Sequence, residues 1–229
     1  MCLPKRGFAM SPKVKKRVEV YVWEPVVRWA HWLIVVCIFV LAATGYLIGN
    51  PVLLTRSGAL IMSQVKFIHY TAALVFSLAV FLRLLWLFIG NKYASWRGLI
   101  PVSPERRKNA FETLKWYFFL RLKGPGSIGH NALAGMAYAA IYVLCLVEIL
   151  TGHALYTLQY SGGVGWLVAT FGAQELRLVH HLLTYVFLMF LIHHVYSVFL
   201  CSMSERDGLV EAMFDGYKFI EEERLETRK

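Results

Sequence analysis

Two histidines in the last apolar stretch of the chain, His180 and His194, are spaced in a way that suits two stacked cofactors. They lie fourteen residues apart, which is nearly four turns of an α-helix, so both rings leave from one face. At about 1.5 Å per residue they are separated by roughly 21 Å along the axis. A hydrocarbon core is about 30 Å thick, and imidazole is costly in lipid. The spacing therefore predicts one cofactor near each side of a membrane, and a pair of haems is the first hypothesis.

Helical phase separates these two histidines from their neighbours His181 and His193. At about 100° per residue, His180 and His194 come within roughly 40° of the same direction, whereas the pairs spaced by thirteen residues diverge by about 140°. We therefore predict that His180 and His194 are ligands. His181 and His193 are expected to have packing, interfacial or supporting roles.

Two irons with two axial ligands each require two more histidines from facing helices. His31 lies near the inner end of the first apolar stretch, and His69 lies near the outer end of the second. Depth then pairs His69 with His180 on the outer side and His31 with His194 on the inner side. The alternative is that these histidines are unrelated polar anchors.

Three arginines accompany these histidines. Arg83 follows His69 by fourteen residues and shares its face at the inner level, while Arg28 and Arg177 each precede a predicted ligand by about one turn. Haem propionates need cationic partners in a low-dielectric setting, so we predict that all three bind propionates. The alternative for Arg28 and Arg83 is that they extend to the inner head groups.

Three further polar residues fall in or beside the third apolar stretch. His130 lies at its inner mouth and is predicted either to cap the helix or to meet a quinone head group or its protons. His153 is expected at the interface. Glu148 needs a partner or a proton inside a membrane, and its role is left open.

The elements that must position these residues are membrane spans. The 229 residues are 58% hydrophobic and only 17% charged, against about 25% charged in soluble domains. Apolar stretches cover residues 27–48, 65–89, 133–156 and 176–203, and each exceeds the roughly 20 residues needed to cross. We expect an all-α membrane protein, with one di-haem domain over residues 1–229 in which a four-transmembrane-helix bundle holds two b haems.

The net charge of +10 is concentrated in the tails and in the connection between the second and third spans. This distribution follows the positive-inside rule and does not indicate nucleic acid. We expect tails 1–20 and 204–229 to be cytoplasmic, the second tail partly helical and solvated. The basic and aromatic stretch at residues 104–122 is predicted to form an amphipathic helix on the lipid surface.

Two short patterns bear on the cofactor. The four cysteines form no C-x-x-C-H sequence, which excludes covalently attached c-type haem. The dipeptides Thr44-Gly45 and Thr151-Gly152 recur near the outer ends of the first and third spans. Their small residues favour either close helix packing or clearance for a flat macrocycle.

Several segments together resemble the cytochrome b subunit of membrane-bound nickel–iron hydrogenases. They extend from about residue 20 to residue 217 and include Arg28-Trp29-Ala30-His31-Trp32-Leu33, Thr44-Gly45-Tyr46, Ile68-His69, Gly90-Asn91-Lys92-Tyr93, Ile128-Gly129-His130-Asn131, Arg177-Leu178-Val179-His180-His181-Leu182 and His194-Val195-Tyr196. The departures are His181 where arginine is common, Tyr185 where tryptophan is common, and His193 where a small residue is expected.

The resemblance implies a function. Such subunits anchor the hydrogenase large and small subunits at the outer face of the inner membrane and pass electrons from the small subunit's iron–sulfur chain to quinone. It also implies that His31, His69, His180 and His194 are the haem ligands. None of the four cysteines forms a C-x-x-C pair, so the set of cysteine thiolates that a nickel–iron site needs is missing and the chain is not expected to be an enzyme by itself.

Two other functions stay open at this point. The chain could be a di-haem anchor of another quinone-linked dehydrogenase, such as the gamma subunit of a formate dehydrogenase. It could instead be a haem-free transporter or scaffold, which a reduced-minus-oxidised spectrum would distinguish.

Overall fold

Four long helices dominate the computed structural model, which describes residues 16–51, 59–120, 122, 124, 127–158 and 164–222. In chain order the elements are β1 (Arg17–Tyr21), α1 (Pro25–Gly49), α2 (Ala59–Ile89), α3 (Pro104–Tyr117), α4 (Ala132–Thr157), α5 (Gly165–Phe171), α6 (Ala173–Glu205), α7 (Ala212–Asp215) and β2 (Tyr217–Glu221). Helices α1, α2, α4 and α6 are long and apolar enough to cross a membrane. The predicted helical membrane bundle is confirmed, and residues 1–15 and 223–229 of the predicted tails lie outside the described residues.

Local sequence explains where these helices begin and end. Pro25 opens α1, where its fixed φ suits a helix and its missing N–H is not needed. Asn131 caps α4, because its side chain accepts a 2.8 Å hydrogen bond from the Ala134 N–H. Helix capping by His130, one of its two predicted roles, is therefore wrong. Helix α3 ends at Tyr117, and Phe119 follows in a left-handed conformation with φ 59°.

The bundle consists of two helix pairs, α1 with α2 and α4 with α6. A buried apolar layer at mid-height joins all four helices and includes Cys37, Phe76, Val80, Cys145, Leu183 and Phe187. Two of the free cysteines therefore pack among hydrocarbon side chains. The layer lies between two levels of polar side chains, one toward each end of the bundle.

A two-stranded antiparallel sheet joins the two ends of the described chain. Strand β1 pairs with β2 so that Arg17 lies opposite Glu221 and Tyr21 opposite Tyr217. The segments before α1 and after α6 therefore meet at one end of the bundle, which we call the inner end. We call β1, α7 and β2, together with the connections to α1 and from α6 (residues 17–24 and 206–221), the inner cap.

The inner cap is packed against the bundle. Val22, Trp23, Ala212 and Ile220 form a buried cluster with Ala94 and Ile128 from the connections of the spans. The side chain of Lys218, also in β2, is 2% exposed. The predicted C-terminal tail is partly helical, since α7 lies within it. The expectation that it is solvated is wrong for Ala212, Lys218 and Ile220, which are buried because this segment covers the bundle.

Candidate functional site

The inner end of the bundle brings together two of the predicted ligands. His31 on α1 and His194 on α6 have ring centroids 6.3 Å apart, with their planes inclined by 56°. The two imidazoles come from different helices and lie next to each other, so they form a donor pair that would hold one metal ion between them.

Aromatic side chains surround His194. Phe190 stacks on its ring at 5.6 Å, with an interplanar angle of 18°. The Tyr138 hydroxyl lies 3.4 Å from His194 Nδ1. On the opposite side, His31 Nδ1 is buried and has no hydrogen-bond partner among the described residues.

His130 lies beside this inner level and in contact with the inner cap. Its ring packs 4.6 Å from that of Trp23 and 4.8 Å, edge-on, from that of Tyr138. Burial, and next the positive charge of Arg83, holds the pKa of His130 well below its usual value. The imidazole is therefore neutral near pH 7 and can donate or accept a hydrogen bond.

Arg83 is a buried cation at the same level. Its side chain is 3% exposed, it donates a 3.4 Å hydrogen bond to the Ala94 carbonyl, and its guanidinium lies 5.6 Å from the centre of the Tyr142 ring. No carboxylate in the described part of the chain forms an ion pair with it. A buried guanidinium is stabilised by an anionic partner, and the carboxylate of a haem propionate has suitable chemistry.

The other two arginines have different surroundings. Arg28 is half-buried and donates a hydrogen bond to the Phe214 carbonyl in the inner cap. Arg177 is exposed at the outer end, and its guanidinium donates a 3.3 Å hydrogen bond to Gln174 Oε1. The structure thus gives Arg28 a role in fastening the cap, and the propionate roles predicted for both stay predictions.

The outer end of the bundle brings together His69 on α2 and His180 on α6, which are near enough to interact electrostatically. Thr44 Oγ1 lies 2.8 Å from His69 Nδ1, and Thr151 Oγ1 lies 3.1 Å from His180 Nδ1. Each threonine belongs to the neighbouring helix of the same pair. The sequence shows these threonines only as part of a repeated Thr-Gly dipeptide. Their contacts with the histidines depend on how the helices pack.

Glu148 also lies at this outer level. Its Oε2 is 3.4 Å from His180 Nδ1, and its side chain is 14% exposed. This oxygen has no hydrogen-bond partner among the described residues, so Glu148 lies beside a predicted ligand without a hydrogen bond to it. The sequence places a carboxyl group in an apolar span, and only the tertiary structure shows that it lies beside His180.

His181 and His193, which helical phase predicts not to be ligands, are exposed. His181 Nδ1 contacts the Arg177 carbonyl at 2.8 Å, one turn earlier on the same helix. His193 Nε2 lies 3.3 Å from Ser197 Oγ, also on α6. Neither of these rings is stacked against His31 or another predicted ligand in the described residues, whereas the ring of His194 faces His31.

The donor set at both levels fits a b-type haem. Each level offers imidazoles from two different helices, the inner level adds a buried cation, and the apolar layer separates the two. In the described part of the chain, no group of three or more histidine, cysteine or acidic side chains could hold a metal ion. Pairs of axial imidazoles suit an iron whose other four ligands come from a porphyrin.

A family model described as "Prokaryotic cytochrome b561" matches residues 22–216 of the chain. The chain therefore belongs to the prokaryotic cytochrome b561 family. It is a multi-pass membrane cytochrome of b type, an electron-transfer subunit that is not an enzyme by itself.

Two similar proteins have the name "Probable Ni/Fe-hydrogenase B-type cytochrome subunit". The chain is 33% identical over 227 residues to the one from Rhodobacter capsulatus, which covers 93% of this chain and 86% of the relative. It is 33% identical over 211 residues to the one from Cupriavidus necator, which covers 86% of both chains. A relative from Escherichia coli K12, named for Ni/Fe-hydrogenase 1, is 30% identical over 222 residues, covering 91% of this chain and 94% of the relative. The resemblance found in the sequence is thereby confirmed.

Proposed function

We propose that the chain is the di-haem membrane anchor of a nickel–iron hydrogenase and passes electrons from the hydrogenase small subunit to the membrane quinone pool. The observation that carries the proposal is the placement of four histidines at two levels of one bundle, His31 with His194 and His69 with His180. The names of the relatives support the hydrogenase as partner. These names favour a hydrogenase over a formate dehydrogenase as the partner. Membership of a cytochrome family argues against a haem-free transporter or scaffold.

The residues of the chain would hold two b haems, which supply reversible one-electron storage when bound. His69 and His180 are the proposed axial ligands at the outer level, and His31 and His194 at the inner level. With both axial positions filled by protein, the iron would have no free site for substrate. Arg83 is proposed to neutralise a propionate at the inner level, and Arg28 and Arg177 are further candidates.

We also propose that quinone binds near the inner level. His130 supports this placement, because its neutral ring packs against Trp23 and Tyr138, and the Tyr138 ring in turn contacts that of His194. A neutral imidazole can hydrogen-bond a quinone carbonyl and exchange its proton. The predicted cytoplasmic location of both tails in the inner membrane would place this reaction at the cytoplasmic side, and the meeting of β1 and β2 supports a shared side for both flanks.

The test is purification of the complex in mild detergent through a tag on this chain. We expect two b haems per chain, co-purified large and small hydrogenase subunits, and hydrogen-dependent quinone reduction. His180→Ala should leave one haem, whereas the matched His181→Ala, at the exposed neighbouring position, should retain two. Absence of b haem would refute the electron-carrier proposal, and co-purification with a formate-oxidising subunit would favour the other anchor.

A further inference from the structure

The recurring Thr-Gly dipeptides hold the two histidines of the outer level. Thr44 Oγ1 lies 2.6 Å from the Val40 carbonyl oxygen, to which it donates, and 2.8 Å from His69 Nδ1. A hydroxyl has one hydrogen to donate and lone pairs with which to accept. Because its hydrogen is directed to Val40, Thr44 accepts from the Nδ1–H of His69. The proton of that ring is then on Nδ1, and Nε2 keeps its lone pair for a metal.

The second dipeptide repeats this geometry on the other helix pair. Thr151 Oγ1 lies 2.9 Å from the Val147 carbonyl and 3.1 Å from His180 Nδ1. Glu148 Oε2 lies 3.4 Å from the same nitrogen but has no hydrogen-bond partner among the described residues, so Thr151 is the acceptor. Both outer histidines therefore have an oxygen acceptor that selects the same tautomer.

The glycines let the rings approach the neighbouring helix. A Cβ added at Gly45 would lie 3.3 Å from His69 Cε1, and one added at Gly152 would lie 2.9 Å from His180 Cε1. The second distance is shorter than carbon atoms tolerate, so a side chain there would displace the ring. Each dipeptide is thus a seat for one imidazole, with an acceptor beside a position without a side chain.

The inner level has weaker partners for its ring protons. His31 Nδ1 has no hydrogen-bond partner among the described residues, and His194 Nδ1 has the Tyr138 hydroxyl at 3.4 Å. An imidazole that donates from its second nitrogen becomes a more basic ligand. A more basic ligand favours the ferric over the ferrous state and lowers the reduction potential.

We propose that Thr44-Gly45 and Thr151-Gly152 are positioning residues that make the outer haem the lower-potential one. The inference rests on the proposed di-haem function. It adds a direction, because electrons that enter at a lower-potential outer site move downhill to the inner one. The Thr44–His69 contact, at 2.8 Å, is shorter than the Thr151–His180 contact, at 3.1 Å, so the loss of Thr44 has the larger consequence.

The test is a potentiometric titration of the intact complex that resolves two one-electron b-haem waves. Thr44→Val removes the acceptor at nearly constant side-chain volume. We expect the midpoint potential of the lower-potential haem to rise by about 59 mV, which corresponds to about a tenfold change in the equilibrium constant of its reduction. Thr151→Val should raise the same wave by less, and Thr44→Ser should restore it. Thr113→Val is the matched control, because Thr113 is buried and donates to Asn109 as the others donate, but lies in α3.

A second measurement uses the low-spin ferric spectrum, which reports ring orientation. Gly152→Ala should move the signal of one haem, while Gly165→Ala, whose added methyl meets open space, should leave both unchanged. The inference is overturned if Thr44→Val and Thr151→Val change the midpoint potentials no more than Thr113→Val does. It is also overturned if these two variants shift the potentials of different haems. If the wild-type complex holds no pair of b haems, the proposed function fails and the inference fails with it.

Discussion

The ion pair inside the inner cap provides a sharp test of how the two ends of the chain are held together. Lys218 Nζ lies 2.5 Å from Asp207 Oδ2, and the two side chains are 2% and 9% exposed. Lys218→Met would keep the aliphatic stem of the lysine and leave the Asp207 carboxylate buried without its cation. Removing one partner of a buried pair costs about 3–5 kcal/mol.

This free energy can be converted into an expected opening of the cap. At about 1.4 kcal/mol per factor of ten, the population of open cap should increase at least about a hundredfold. Hydrogen exchange followed by mass spectrometry should report faster exchange in peptides that contain β1 and β2. The peptides of the mid-height apolar layer should exchange as in wild type, because the pair is remote from them.

A matched control lies on the same sheet. Lys16 pairs with Glu222 at 3.3 Å, but the side chains are 75% and 43% exposed, and exposed pairs contribute about 0–1 kcal/mol. Lys16→Met should therefore change exchange of the cap by about fivefold at most. Adding Asp207→Asn to Lys218→Met should recover much of the protection, since no buried charge is left unpaired. Equal exchange in the Lys218→Met and Lys16→Met variants would refute the reasoning.

Three further predictions concern the inner level. His194→Ala should reduce the b-haem content from two to one per chain and His193→Ala should not, and the reverse result would contradict the helical phase. Arg83→Gln should weaken retention of one haem by roughly ten- to hundredfold, the worth of a charged hydrogen bond, and Arg83→Lys should retain more, as measured by haem content after dilution. The pKa of His130 is held below its usual 6.5 by burial, so the unfolded chain binds an extra proton as the pH falls below about 6.5, and stability should fall by up to about 1.4 kcal/mol per pH unit. His130→Gln should reduce this slope of stability against pH in unfolding measurements between pH 7 and 5.5, and an unchanged slope would exclude His130 as its source.

The pairing of histidines by depth shows how far periodicity alone can reach. The fourteen-residue spacing and the length of the apolar stretches are local properties, because a helix has a fixed rise and rotation per residue. They sufficed to predict that His31 and His194 share one level, and these rings lie 6.3 Å apart. Whether they bind iron stays a prediction.

The residues that support the ligands were beyond such reasoning. Thr44 was visible as part of a repeated dipeptide, but its contact with His69 requires the α1–α2 packing. The approach of Glu148 to His180 likewise follows from the α4–α6 packing. Arg28 was assigned to a propionate from its distance along the chain, yet its guanidinium reaches a carbonyl of α7, far away in sequence.

By itself, the sequence determined the four spans, the levels of the histidines and the family resemblance, because hydropathy, helical period and motif are properties of contiguous residues. Only the tertiary structure decided the inner cap and the threonine seats. In the cap, Arg17 pairs with Glu221, and these residues are separated by nearly the whole chain. An alternating pattern can indicate a strand, but it cannot identify which distant strand pairs with it. The seats depend on hydrogen bonds of about 3 Å between different helices, so they exist only once the rotation and height of each helix have been set by packing.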